Sequence, residues 1–398
     1  MKNEKSVLSK VGTKFRIKGI SDKVQNIKVS PIKEMRIIAQ GFDDVISFGQ
    51  GIPFLDTPRE ILEKLSKLIL KKDIGKYSIS PGLLELREKI SKKLLELEIN
   101  ADPKTEILVT NGAMEGLFSA VMTLVDNGNE VIMFTPGFSS HIEQVLLAGG
   151  IPIFSKLNEK DWTINFSDFE TKITKKTKVL ILCNPNNPTG TVYKKNDLIR
   201  LARIAKKNNI AIISDDPYNF LVYEGEYFSL SSLPEFKDNV VSCFSFSKEY
   251  AMTGYRLGFA VAAKGILNQM MKVHDACCIC APVISQHAGI IALDLPRGFN
   301  NGIKESLRKN RDLIISGLNN IKRISFVKPN GAYYVLVKYE KNMDSVDLAI
   351  DILKKVHVEV VPGSAFGPAG ENHIRLSFGG RPEQIKQGLK RLKKYFEE

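Results

Sequence analysis

A single lysine stands among small hydroxyl residues where an apolar run stops. The run Val240-Val-Ser-Cys-Phe leads into Ser245-Phe-Ser-Lys248, and eight residues later comes Arg256, after Met252-Thr-Gly. In a chain with 57 lysines and arginines, an ordinary lysine is a solvated surface side chain. Desolvation at the end of a buried strand would lower its pKa and free the amine to attack an aldehyde, as a Schiff-base lysine does. Other strand ends carry polar groups as well. Thr110-Asn111-Gly112-Ala113-Met114 opens a helix with small residues and unpaired N–H groups, which suits a phosphate, although any strand-to-helix turn can share that pattern. In Cys183-Asn184-Pro-Asn-Asn187-Pro-Thr-Gly190, the prolines make a rigid turn and would hold an amide ready to bridge acceptors. Ile213-Ser-Asp215-Asp216-Pro-Tyr218 sets carboxylates at a strand end, where burial costs several kcal/mol unless a cation pairs with them. Two readings stay open for that pair, a Mg²⁺ site and a solvated loop, and no phosphate-loop lysine pattern accompanies it. Arg375, flanked by Ile374 and Leu376, could grip a carboxylate with a bidentate fork that lysine cannot form. Gly363-Ser-Ala-Phe-Gly367-Pro-Ala-Gly370 lacks the Lys-Ser/Thr of a nucleotide loop and reads as a pocket wall.

These residues need a scaffold that brings strand ends together. From residue 106 short apolar runs alternate with helical periods. The runs begin at Ile107, Glu130, Ile151, Val179, Ile210, Val240 and Gly258. That alternation predicts an α/β domain with a mostly parallel seven-stranded sheet between helices, whose ligand lies off the carboxyl ends of the strands. After residue 284 the pattern changes to long helices (285–320) and then to short strands around Tyr333 and His373, which predicts a smaller α+β domain. The expected division is 1–44 for an N-terminal arm with part of the small domain, 45–290 for the large domain and 291–398 for the small C-terminal domain. Residues 1–30 are polar and basic and read as the arm.

Composition narrows the classes. The chain has 398 residues, 43% hydrophobic and 25% charged, and a net charge of +13. This describes an ordinary globular protein. Its lysines are scattered and no nucleic-acid motif appears, so no nucleic-acid partner is expected. No run approaches a membrane span, and Met1-Lys-Asn-Glu-Lys has no signal-peptide core, so a cytoplasmic protein without a membrane partner is expected. The cysteines 183, 243, 277, 278 and 280 have neither disulfide-framework nor zinc spacing, and the nearby His274 and His287 do not repair it. They read as buried small hydrophobes, and no metal is expected.

Taken together, the segments resemble the class I/II aminotransferases, the fold-type I family of pyridoxal-phosphate enzymes. The resemblance runs from about Val45 past Arg375. Its blocks are Gly51-x-Pro-x-x-Asp-Thr-Pro58, Tyr77 with Gly82-x-x-Glu-Leu-Arg87, Asn111-Gly-Ala, Asn184-Pro-x-Asn-Pro-Thr-Gly190, Asp215-x-x-Tyr218, Ser245-x-Ser-Lys248, Met252-Thr-Gly-x-Arg256-x-Gly258, Pro329-x-Gly-Ala-x-Tyr334 and Arg375-Leu-Ser. The resemblance implies transamination between an amino acid and a 2-oxo acid through a Lys248 Schiff base, in amino acid metabolism. It implies that Asp215 pairs with the pyridine nitrogen, and that Tyr218 and Asn187 bond the phenolic oxygen. Phe138 would stack on the ring, and Gly112, Ala113, Met114, Ser245 and Arg256 would hold the phosphate. Gly51, Asn187 and Arg375 would take the substrate carboxylate. Tyr77 would reach the phosphate of a neighbouring subunit, which implies a homodimer with shared sites.

Ile52, His141 and Pro217 depart from the family pattern, at positions expected to leave the core chemistry untouched. Two other activities use similar chains. A β-lyase acting on C–S bonds shares the fold and the lysine, but Asn186 stands where lyase relatives often carry histidine. A non-enzymatic cofactor-sensing regulator would need a winged helix ahead of the family pattern, which here starts near residue 31. The apolar wall at Cys277–Pro282 leans toward neutral or aromatic substrate side chains.

Overall fold

The computed structural model describes residues 19–25, 27, 30–71, 74–296 and 298–398. Most of the arm assigned to residues 1–30 thus lies outside the described residues. β1 (Ile46–Ser47) comes first. Then follow β2 (Ile107–Thr110), β3 (Glu130–Thr135), β4 (Ile151–Lys156), β5 (Thr177–Cys183), β6 (Ala211–Asp215), β7 (Val240–Ser245) and β8 (Gly258–Val261). The last seven form one sheet in the order β2-β8-β7-β6-β5-β3-β4. All pairs are parallel except those of β8, which runs against both neighbours.

The apolar runs are continuous because both faces of the sheet are covered. Along β5, Val179 and Ile181 pack on one side with Ile213, Leu117 and Val121, while Leu180 and Leu182 pack on the other with Ile212, Leu198 and Leu201. Successive strand residues point to opposite faces, so a strand buried on both shows no polar alternation. The helices Gly112–Leu124 and Lys264–Cys278 lie side by side on the first face, and Lys195–Lys207 covers the second.

Parallel pairing has a geometric consequence. β2, β3, β5, β6 and β7 all end at the same edge of the sheet, where ligands of such sheets bind. Because β8 runs back from that edge, Gly258 pairs with both Thr110 and Ser245, and Arg256 just before it arrives there too.

The remaining strands are β9 (Ile324–Phe326), β10 (Tyr334–Tyr339), β11 (Val358–Glu359), β12 (Val361–Pro362) and β13 (His373–Ser377). Four make an antiparallel sheet, β12-β13-β10-β9, in which Arg375 sits opposite Leu336 and Val361. β11 pairs in parallel with β1. That pairing delivers the following segment, Gly49–Gly51, to the edge of the large sheet. Among the described residues no helix is long and apolar enough to cross a membrane.

Candidate active site

A cleft of about 350 Å³ opens where the strand ends meet the small sheet. Lys248, Asp215, Tyr218, Asn187 and Arg375 line it, as do Gly51, Ala113, Met114, Phe138, Ser245 and Arg256. They come from strand ends that the sequence scatters over more than 300 residues.

Lys248 lies on the single helical turn Phe246–Glu249, capped by the Ser245 hydroxyl, which accepts from the Ser247 amide at 3.1 Å. Its Nζ donates to the Gly51 carbonyl at 2.5 Å, and the Tyr333 hydroxyl donates to the same oxygen at 2.7 Å. Burial, then the Arg256 and Arg375 guanidiniums, push the Lys248 ammonium down to about 8, against an opposing pull from Asp215. The amine at a strand end is thus desolvated, as a nucleophilic lysine needs.

Asp215 is the last residue of β6 and is buried. Its Oδ2 lies 3.0 Å from Nε2 of His141, which is also buried. His141 therefore touches the carboxylate at the heart of the site, contrary to the expectation that this departure stays clear of the core chemistry. It comes from the first turn of the helix Ser139–Leu147, after β3, and its ring packs edge-on against Phe138 at 5.4 Å. The Asp pair is not a solvated loop either. Asp216 is 1% exposed, accepts from the Ser214 hydroxyl at 2.9 Å, and burial raises its pKa to about 8. Burial thus disfavours a charge on Asp216, while Asp215 is the carboxylate that meets His141.

The Tyr218 hydroxyl meets that of Tyr334 at 2.9 Å, and burial raises the Tyr218 pKa. Tyr334, which closes the block Pro329-x-Gly-Ala-x-Tyr334, opens β10, and Tyr333 just before it is a further partner of the site. Arg375 lies 2% exposed. Its Nη1 donates to Asn187 Oδ1 at 3.2 Å and Nη2 to the Gly49 carbonyl at 2.5 Å, while its guanidinium lies over the Tyr334 ring at 4.6 Å. Its Nε has no partner among the described residues.

The phosphate half of the expected cofactor asks for close backbone approach and a cation. Gly112, at φ +71°, begins the helix, and a Cβ there would run into the Arg256 guanidinium. A Cβ on Gly258 would meet the Ala113 nitrogen at 2.5 Å. Arg256 reaches Ser247 Oγ at 3.5 Å and the Thr253 carbonyl at 3.0 Å. Ser247 is a polar group of this cradle that the sequence reading passed over, although Ser-x-Ser-Lys marks it. A helix N-terminus, an arginine and hydroxyls fit a phosphate, Asp215 fits a ring nitrogen and Lys248 fits an aldehyde. The residues present suit pyridoxal phosphate. Gly112→Ala should displace Arg256 and cost one charge-assisted contact, about 1.5–3 kcal/mol. That corresponds to about 10–100-fold weaker cofactor binding, read by spectrophotometric titration of the apoprotein. Unchanged affinity would refute the cradle.

Cys183, Cys243 and Cys280 are buried, but Cys277 is exposed and Cys278 half-buried, so that segment is not simply apolar filling. Tyr77 lies outside this cleft, 78% exposed.

Comparison with known proteins agrees with the geometry. The family model for aminotransferase class I and II matches residues 43–392. The chain is 37% identical to the putative aminotransferase YugH of Bacillus subtilis, over 94% of this chain and 98% of the relative. It is 33% identical to aromatic-amino-acid aminotransferase 2 of Thermococcus litoralis, over 95% and 98%. An aspartate aminotransferase structure from Thermus thermophilus with maleate superposes with a TM-score of 0.89 at 32% identity, over 95% of this chain and all of that one. A lysine set to condense with an aldehyde, a carboxylate at the adjoining strand end and this full-length likeness have one reading: the chain belongs to the class I and II aminotransferases, fold-type I enzymes that use pyridoxal phosphate to exchange an amino group between an amino acid and a 2-oxo acid.

Proposed function

We propose that this aminotransferase prefers donors with neutral or aromatic side chains, and that its own residues divide the work as follows. Bound pyridoxal phosphate supplies the aldehyde and an electron-withdrawing ring. Lys248 Nζ would anchor it and would move the proton at the substrate Cα. An amine near pKa 8 is matched to proton transfer at neutral pH. Asp215, placed by His141, would pair with the ring nitrogen. Tyr218, oriented by Tyr334, and Asn187 would hydrogen-bond the ring oxygen, and Phe138 would cover the ring face. The amides of Gly112, Ala113 and Met114, with Ser245 and Arg256, anchor the phosphate. Arg375, Asn187 and the Gly51 backbone take the substrate carboxylate.

The preference for neutral or aromatic donors rests on one observation. Among the described residues, the cations lining the cleft are Lys248, Arg256 and Arg375, and each already has a task, so none of these is left for a second carboxylate. Ile32, Ile52 and Phe138 line the same space. A donor panel with 2-oxoglutarate and pyruvate, followed at the cofactor's visible band, should give kcat/KM for phenylalanine at least about 10-fold above aspartate, the size of difference an apolar pocket can make. Equal or faster turnover of aspartate would overturn the preference.

The reading extends to a homodimer with shared sites. Exposed Tyr77, Ile79, Ile279 and Ile284 belong to segments tied together by Ser80–Asp275 and Ser78–Gln286 hydrogen bonds of 2.7 and 3.0 Å. An apolar face of this kind suits a second copy, whose Tyr77 would complete this cradle. The proposed division remains 45–290 for the cofactor-binding domain and 291–398 for the small one, with 1–44 joining the latter.

A further inference from the structure

The helices Gly112–Leu124 and Lys264–Cys278 carry a second polar cluster where they pack, on the far side of the phosphate cradle's first turn. His274 and Cys278 are four residues apart on one helix, hence one turn apart on one face. Glu115 faces them from the other helix. His274 is 0% exposed and Glu115 is buried. Nδ1 of His274 lies 3.1 Å from Glu115 Oε2 and 3.5 Å from Cys278 Sγ, and the three ligand atoms all lie within 4.8 Å of one another. The carboxylate is already oriented, since Ser119 Oγ donates to Oε1 at 2.6 Å and the Asn111 amide to Oε2 at 3.2 Å.

A ring nitrogen has one site, a lone pair or a proton, and here it faces two neighbours at once. A proton on Nδ1 serves Glu115, and the Cys278 thiol also has the His274 carbonyl at 3.5 Å as an acceptor. A cation at their centre serves all three. Zinc bonds of about 2.0–2.1 Å to nitrogen, 2.0–2.2 Å to oxygen and 2.3 Å to sulfur give tetrahedral edges of about 3.4 Å for N–O and about 3.5 Å for N–S; the N–S separation of 3.5 Å meets that edge, and the N–O separation of 3.1 Å would widen by a few tenths of an ångström on binding. One nitrogen, one hard oxygen and one thiolate are a borderline donor set, which favours zinc over magnesium or calcium. We propose that Glu115, His274 and Cys278 form a zinc-class divalent metal site, with a fourth position open to water. Binding converts the Cys278 thiol to thiolate and releases its proton to solvent. The sequence hid the site because Glu115 lies 159 residues from His274.

The test uses the full-length holoenzyme, stripped with a chelator, given zinc and desalted. The expected result is about one zinc per chain by elemental analysis, with an X-ray absorption first shell of one sulfur and three nitrogen or oxygen atoms. Cys278→Ser should weaken retention at least about 100-fold, since outer-shell partners alone are worth about 10–100-fold. Cys277→Ser should leave it unchanged. Sub-stoichiometric zinc, a first shell without sulfur, or retention surviving Cys278→Ser would each overturn the site. The absorption measurement on the unmutated enzyme decides the matter even if the serine variant fails to fold.

Discussion

Replacing Lys248 by alanine is expected to lower kcat at least about 10⁴-fold, because in the proposed mechanism one side chain supplies both the anchoring nucleophile and the proton carrier, and positioned acid–base catalysis alone is worth about 10²–10⁴-fold. Borohydride treatment should fix the cofactor to the unmutated enzyme through denaturation but not to Lys248→Ala. Stability should move the other way. In the folded apoprotein Lys248 has a pKa of about 8, below the ordinary 10.5. Between those values the unfolded chain binds more protons than the folded one, so this lysine makes stability rise with pH across that window. Below about pH 8 its desolvation penalty is present in full. Melting of the apoprotein at pH 7 and pH 10 should therefore show the unmutated chain gaining on Lys248→Ala at the higher pH. Covalent fixation in the variant, or kcat within 100-fold of the parent, would remove Lys248 from the centre of the mechanism.

That lysine was legible because the signals around it are local. Apolar runs such as Val179–Cys183 reveal strands buried on both faces, and parallel pairing then sends the ends of β2, β5, β6 and β7 to one edge without further information. Arg375 was legible for a similar reason: a cation between apolar neighbours in a β-like run must face something polar. Contacts made where elements far apart in the chain pack together were not legible. His141 meets Asp215 across 74 residues, Tyr218 meets Tyr334 across 116 and Glu115 meets His274 across 159. No spacing rule links such positions, because the angle at which two elements pack decides which side chains face one another. Asp216 illustrates the finer limit. The residue type is the same as at 215, yet strand alternation points the two carboxyls apart, and burial raises the Asp216 pKa while Asp215 meets His141.

Arg375→Lys keeps the charge and removes the fork, and it should cost kcat/KM for amino acid donors about 10²–10³-fold. Two hydrogen bonds to a charged partner are worth about 1.5–3 kcal/mol each, and a lysine ammonium retains part of that. The guanidinium is buried, its Nη1 and Nη2 are steered by Asn187 and Gly49, and its plane rests on Tyr334. Such an arginine is held in one orientation before any ligand arrives, so its donors are already directed when a carboxylate binds. The unpartnered Nε is the sharpest sign of an absent acceptor, since buried donors in folded proteins rarely go unpaired. The loss should fall mainly on KM. A primary amine lacking the α-carboxylate, processed slowly by the parent, should lose less than 10-fold. Equal losses for the amino acid and the amine would mean that Arg375 merely supports the fold around Tyr334, and the proposed carboxylate site would have to be sought elsewhere in the cleft.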